Sequence, residues 1–297
     1  MNELAGIVIV NKPSGMTSHD VVSRLRRIFG TKKVGHAGTL DPMATGVLVT
    51  GINRGTKFLT HVVAHDKRYI AEIALGVSTI TDDREGEIIA TAAPEALAAL
   101  TEEGIREALE SFRGKIMQRP AAVSAIKIDG KRAYQRVRDG EEVDIPPRPV
   151  EIFALDVLDI DLEADRPKVT IAVHCSSGTY IRAIARDLGE KLGVGGMLTS
   201  LCRTSVGPFG LHAAYTLEDL EKEPQLSYDL DAALQLCYPV LELSFPEARA
   251  LSQGKWLAAR GLKGIHAAVD PDRHAVALVK ESGSRLSTIF VARPSTL

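Results

Sequence analysis

Gly35-His-Ala-Gly-Thr-Leu-Asp-Pro-Met-Ala-Thr-Gly46 crowds three glycines, one acid and one proline into a segment too small to build core. Glycine tolerates positive φ and lets other backbone come close, so Gly35, Gly38 and Gly46 predict a loop shaped around something. Pro42 biases Asp41 away from the helical region, which presents the carboxylate from a turn rather than a helix face. The apolar run Val47 to Thr50 reads as a buried strand that would hold this loop rigidly. The same residues also suit an ordinary Asp-Pro turn between two strands.

Outside this loop the composition is that of a water-soluble enzyme or binding protein: 297 residues, 45% apolar and 25% charged, enough for a large domain plus a small one. The apolar run Ala5 to Val10 has no basic segment before it and is ended by Asn11, Lys12 and Pro13. Neither a signal peptide nor a membrane span fits, and a cytoplasmic protein is expected. Cys175, Cys202 and Cys237 are odd in number and form no Cys-x-x-Cys pair, which argues against a disulfide framework and a structural zinc site; no metal ligands are assigned.

The net charge of -2 conceals an asymmetry. Lys12 to Lys57 holds eight Lys or Arg against Asp20 and Asp41, and Arg113 to Arg148 holds nine against five acids, whereas Asp82 to Glu110 holds nine acids against Arg84 and Arg106. Segregation of this kind builds a positive face whose usual partner is a polyanion, unless the basic and acidic segments interleave in space and cancel.

In chain order, Ala5 to Val10 predicts a strand ended by the Lys12-Pro13-Ser14-Gly15 turn. A helix follows, with Thr17 as N-cap, Asp20 completing a capping pair, and Val21, Val22, Leu25, Ile28 and Phe29 on one face. Arg24, Arg26 and Arg27 lie opposite, on a solvated or phosphate-contacting face. Thr56 to Ala64 reads as helical, Arg68 to Leu75 as a half-buried strand opened by Tyr69, Thr79 to Gly86 as a polar acidic loop, and Thr101 to Phe112 as an amphipathic helix. Residues 119–149, framed by prolines and rich in Lys and Arg, suggest a basic arm: a strand Ala122 to Ile128, a turn at Asp129-Gly130 and a short basic helix. Glu151 to Leu162 and Lys168 to His174 alternate as an antiparallel pair. Tyr180 to Leu192 is helical, which puts Arg182 in a first turn where the macrodipole favours anions; it needs a carboxylate or phosphate partner, and Asp41 would supply one. Leu201-Cys-Arg-Thr204 leads to a glycine-bounded strand, and Thr216 to Glu221 is a short acidic helix. From about Val240 the short runs Leu241 to Phe245, Ala267 to Val269, Ala275 to Val279 and Thr288 to Val291 suggest a small β-rich domain.

Four segments together carry a family likeness. Gly35 to Gly46, Lys67-Arg-Tyr69, Gly178-Thr-Tyr-Ile-Arg182 through Asp187-Leu-Gly189, and Leu201-Cys-Arg-Thr204 resemble, in order and spacing, the bacterial tRNA pseudouridine synthases of the TruB type, over roughly Gly6 to Phe209. The resemblance implies an α+β fold with a mixed, largely antiparallel central sheet and flanking helices, the pseudouridine synthase fold. It implies a catalytic domain over residues 1–235, with 119–149 as an RNA-clamping insertion, and a small C-terminal PUA-like domain over 236–297. The implied reaction converts uridine 55 of the tRNA T loop to pseudouridine without a cofactor, because the substrate only isomerises.

In that likeness Asp41 is the catalytic carboxylate, acting either as nucleophile at the anomeric carbon or as acceptor of a sugar proton. Tyr69 stacks on the target base and Arg182 pairs with the aspartate. Lys12, His36, Lys57, Tyr180, Leu201 and Arg203 are expected to bind the RNA around a flipped-out nucleotide. The implied partner is the tRNA T-arm; no membrane or protein partner is implied, and a monomer is expected. One departure is Val123, ahead of Ser124-Ala125, where the family usually has an aromatic residue. Two other chemistries fit poorly: an aspartyl-phosphate enzyme needs an acid two positions after Asp41, where Met43 stands, and glycoside hydrolysis pairs two carboxylates where the loop offers one.

Overall fold

The capping pair at Thr17 starts the first helix as the sequence demands. In a computed structural model that describes residues 4–121, 127–128, 131–132 and 145–294, the Thr17 hydroxyl accepts from the Asp20 backbone N–H and the Asp20 carboxylate accepts from the Thr17 N–H, opening the helix Ser18–Ile28. Val21, Val22 and Leu25 are its buried face. The chain divides into two units, one of residues 1–42, 46–63 and 205–297, the other of 43–45 and 64–204.

In the first unit the strand Gly6–Lys12 lies between Thr45–Ile52, antiparallel, and Ala214–Tyr215, parallel. Val34–Ala37 pairs on the far side of Thr45–Ile52, so Val34 faces Ile52 and Ala37 faces Val49. The helix Gly55–Val62 packs closely here: a Cβ on Gly51 would stand 2.6 Å from the Gly55 carbonyl, and one on Gly55 would collide with the Gly6 carbonyl, so both positions must stay bare. The C-terminal runs form a five-stranded sheet in which Ile265–Val269, Ala275–Ser282 and Arg285–Val291 are antiparallel and Val240–Glu242 is parallel to Ile265–Val269. The run Leu241 to Phe245 is split, because Ser244 caps the helix Phe245–Ser252 with a Glu247 capping box. Ile7, Phe58, Leu278 and Phe290 share one core, with the two phenyl rings 5.9 Å apart.

The second unit is built on an antiparallel ladder. Lys67–Leu75 pairs with Lys168–Cys175, which pairs with Arg148–Asp161, which pairs with Gly114–Gln118. Gly196–Val206 borders the other side of Lys67–Leu75, and contains the Leu201 to Thr204 motif rather than preceding a strand. The helices Glu102–Glu110, capped by Thr101, and Ile181–Lys191 bury Ile105, Leu109, Ile184 and Leu188. Within the basic segment, Lys127–Ile128 and Lys131–Arg132 pair antiparallel, as the hairpin reading requires. The short basic helix, the Asp129-Gly130 turn and Val123 lie outside the described residues.

Some charge segregation cancels within the fold. Arg24 donates to Glu221 and Glu218, at 2.7 and 3.0 Å, so this arginine is committed to the helix Leu217–Lys222.

Candidate active site

Asp41 owes its position to its neighbours. His36 and Ala37 close the strand Val34–Ala37, and the turn proper runs from Gly38, at φ +85°, to the start of Thr45–Ile52. Gly35 is therefore strand, not loop; its missing side chain makes room for Leu59, whose Cδ1 would stand 3.3 Å from a Cβ. On one side of Asp41 the buried Ser18 hydroxyl donates to the Leu40 carbonyl at 3.1 Å and accepts from the Leu40 N–H at 2.9 Å. On the other side the Pro42 carbonyl accepts from the Gly15 N–H at 2.8 Å and from the Lys12 ammonium at 3.1 Å. Leu40, Met43 and Ala44 are buried while Asp41 is half-buried. Tying down both flanking peptide groups preorganises the carboxylate between them.

Lys12 itself is completely buried, with its ammonium on the carbonyls of Pro13, Met16 and Pro42 at 2.9, 2.5 and 3.1 Å. It ties the turn after the first strand to the Asp41 loop, a positioning task. Lys57 is exposed in the first turn of Gly55–Val62. It follows the distal end of Thr45–Ile52, so the strand's length, about 25 Å at ~3.3 Å per residue, stands between it and the loop.

In the second unit Tyr69 is buried on Lys67–Leu75, opposite Val173. Beside it Lys67 is also buried; desolvation, with Arg203 nearby, brings its pKa down to about 8. Arg203 is 1% exposed and Leu201 is buried, both on Gly196–Val206, and the Leu201 carbonyl accepts from the Thr45 hydroxyl at 3.4 Å. Tyr180 is the N-cap of Ile181–Lys191, and its backbone is held by the buried Gln118 side chain, which donates to the Tyr180 carbonyl at 3.0 Å and accepts from its N–H at 2.8 Å.

Arg182 meets the need for an acid within this unit through Asp83, at 3.4 Å with both side chains buried, and donates to the Thr81 carbonyl at 2.9 Å. Asp83 is held in turn by the Thr81 hydroxyl at 2.6 Å and the Glu85 N–H at 3.0 Å. One helical turn on, Arg186 bonds Asp82 at 3.1 Å, Asp187 at 2.7 Å and the Arg119 carbonyl at 2.8 Å. Burial pushes the Asp82 carboxyl up to about 6, partly offset by Arg186 and Arg182. Asp82 and Asp83, the acids that hold these two arginines, are not singled out by the sequence. Their trace in the sequence is two adjacent acids to match two arginines spaced i, i+4. Among the described residues no three His, Cys, Asp or Glu side chains are grouped to hold a metal ion.

The fold is that of the pseudouridine synthases, enzymes that isomerise a nucleoside. A chain of a Cbf5-Nop10-Gar1 complex matches with a TM-score of 0.74 at 25% identity, covering 99% of this chain and 86% of that one. A chain of an H/ACA RNP bound to a substrate RNA containing 2'-deoxyuridine matches at 0.72 and 24%, covering 97% and 85%. Residues 26–181 match the model of the TruB family pseudouridylate synthase N-terminal domain, 182–237 that of the tRNA pseudouridylate synthase B C-terminal domain, and 238–293 that of tRNA pseudouridine synthase II, C terminal. The tRNA pseudouridine synthase B of Corynebacterium diphtheriae is 66% identical over 99% of this chain and 98% of its own, and that of Mycolicibacterium paratuberculosis is 51% identical over 98% and 99%. This chain belongs to the TruB family.

Proposed function

We propose that this enzyme converts uridine 55 in the T loop of tRNA to pseudouridine, with Asp41 as the catalytic carboxylate. The reaction breaks the bond from N1 to C1′, turns the base, joins C5 to C1′, and transfers the balance of one proton from C5 to the freed N1; nothing is oxidised or reduced. Asp41 takes part by bonding C1′ or by accepting a sugar proton. Tyr69 stacks on the base, and Arg182, held by Asp83, pairs with the Asp41 carboxylate. His36, Tyr180, Leu201 and Arg203 surround a nucleotide drawn out of its stack, Lys12 sets the loop, and Lys57 meets RNA backbone. Residues 1–235 carry the catalytic work, with 119–149 closing on the T-arm, and 236–297 form a PUA-like domain. The enzyme works as a monomer in the cytoplasm without a protein partner; a sedimentation mass well above the 32.0 kDa of one chain overturns the first of these.

The observation that carries this reading is the fixed Asp41 loop in a chain 66% identical to a tRNA pseudouridine synthase B. The test is tritium release from tRNA labelled at C5 of uridine. Wild-type enzyme releases label from a transcript with uridine at position 55 and none when cytidine replaces it, while Asp41→Asn releases none from either. Normal release by the variant ends the assignment of Asp41, and release from the cytidine transcript ends the assignment of the position.

A further inference from the structure

At the end of Thr45–Ile52 remote from the Asp41 loop, the first unit holds a cavity of about 870 Å³. Lys33, Arg54, Lys57 and Arg293 contribute cations to its wall, Asp229 and Asp231 carboxylates. Both acids are spent locally. Asp229 caps the helix Leu230–Cys237 through the Ala232 N–H, and Asp231 accepts from Arg293 and the Ala275 N–H. The ammonium groups of Lys33 and Lys57 make no ion pair among the described residues, and both side chains are exposed.

Arg54 is more constrained. One of its N–H groups is donated to the Val291 carbonyl, its guanidinium carbon lies 5.9 Å from the centre of the Phe290 ring, and its buried Nε has no hydrogen-bond partner among the described residues. Partial burial of the side chain lowers its pKa from the ordinary arginine value by desolvation. An unmatched buried donor beside two unpaired ammonium groups defines a place for an anion.

We propose that this cavity takes a phosphodiester of the RNA substrate, several nucleotides from the uridine that reacts. The inference rests on the tRNA reading above and adds a second, separate point of attachment, about 25 Å away by the length of the intervening strand. Lys33 and Lys57 supply charge from the rim, and Arg54 supplies directed donors from the wall. The chemistry that recognises an RNA phosphate also recognises free phosphate, so the experiment separates the two.

Full-length chain, wild type and Lys33→Gln, is titrated with an unmodified tRNA transcript across a salt series. The expected result is that the slope of log K against log salt flattens by about 0.7 to 0.9 for the lost contact, and that the loss in turnover lies in KM. Ethylation of individual tRNA phosphates is then scored for interference with binding. One or two phosphates outside the T loop are expected to interfere with wild type and to lose that effect with Lys33→Gln. Arg54→Gln is the second variant; where it fails to fold, the exposed Lys33 still decides. Equal slopes and identical interference patterns overturn the proposal while tRNA modification by wild type continues, which keeps its failure distinct from that of the function. Stabilisation by inorganic phosphate that Lys33→Gln abolishes, with tRNA interference unchanged, assigns the cavity to free phosphate and also overturns it.

Discussion

Replacing Asp83 by Asn tests the electrostatic support of Arg182 without changing shape. The amide keeps the Oδ1 that accepts from the Thr81 hydroxyl and the Glu85 N–H, and it removes the negative charge 3.4 Å from the guanidinium. Both partners are buried, at 6% and 3% exposure, so solvent cannot replace what is lost. Removing one partner of a buried pair costs about 3–5 kcal/mol; the surviving bond from Arg182 to the Thr81 carbonyl argues for the lower end, about 3 kcal/mol. With a urea slope near ~3 kcal/mol/M this moves the unfolding midpoint down by about 1 M. Circular dichroism in urea reads that shift for Asp83→Asn, Arg182→Met and the double variant. Because Asp83 and Arg182 act on each other directly, the cost of the double variant should fall short of the sum by about 2 kcal/mol. The turnover of Asp83→Asn should fall as well, with tRNA affinity little changed. Single costs below about 1 kcal/mol that simply add would refute the view that Asp83 holds Arg182.

Three further outcomes are expected. Lys12→Met keeps the buried bulk but strips three carbonyls of their shared donor, so it should lower stability by at least about 2 kcal/mol and reduce kcat more than it raises KM; a phosphate-contacting lysine would do the reverse. Ser18→Ala breaks both bonds to Leu40 and should cost about 1–2 kcal/mol, with kcat falling in parallel, measurable by thermal melting and single-turnover assay. Asp82 has a folded pKa of about 6, above the unfolded value of 3.8, so its stabilising contribution is fully present below about pH 4 and is lost as pH rises through 6. The stability difference between wild type and Asp82→Asn should therefore change between pH 4 and 6.5, and a difference constant over that range would reject the buried-carboxyl account.

Features set by neighbouring residues were legible in the sequence. The Thr17 and Asp20 capping pair, the alternation in Lys168–Cys175 and the helical spacing from Ile181 to Leu192 each stated their own structure. Relations between distant residues were not. The residues from Thr79 to Gly86 look like any acidic loop until Asp82 is joined to Arg186 and Asp83 to Arg182. Lys12 followed an apolar run and preceded a turn, and a lysine there is normally exposed; its burial depends on three carbonyls turning inward, one of them from the Asp41 loop. Gly35 looks like the loop glycines beside it because local sequence cannot distinguish a residue kept small for backbone freedom from one kept small beside Leu59. The sequence places a strand only after Thr204, whereas Gly196–Val206 is one strand whose polar residues include Thr199, with its hydroxyl on Glu72 of the neighbouring strand.

The bonds that fix Leu40 and Pro42 run through peptide groups and through the side chains of Ser18 and Lys12. These anchors should stay in place when the charge at residue 41 is removed. An amide in place of the acid should leave a correctly shaped, chemically silent enzyme, suited to trapping bound RNA long enough to be imaged at atomic detail.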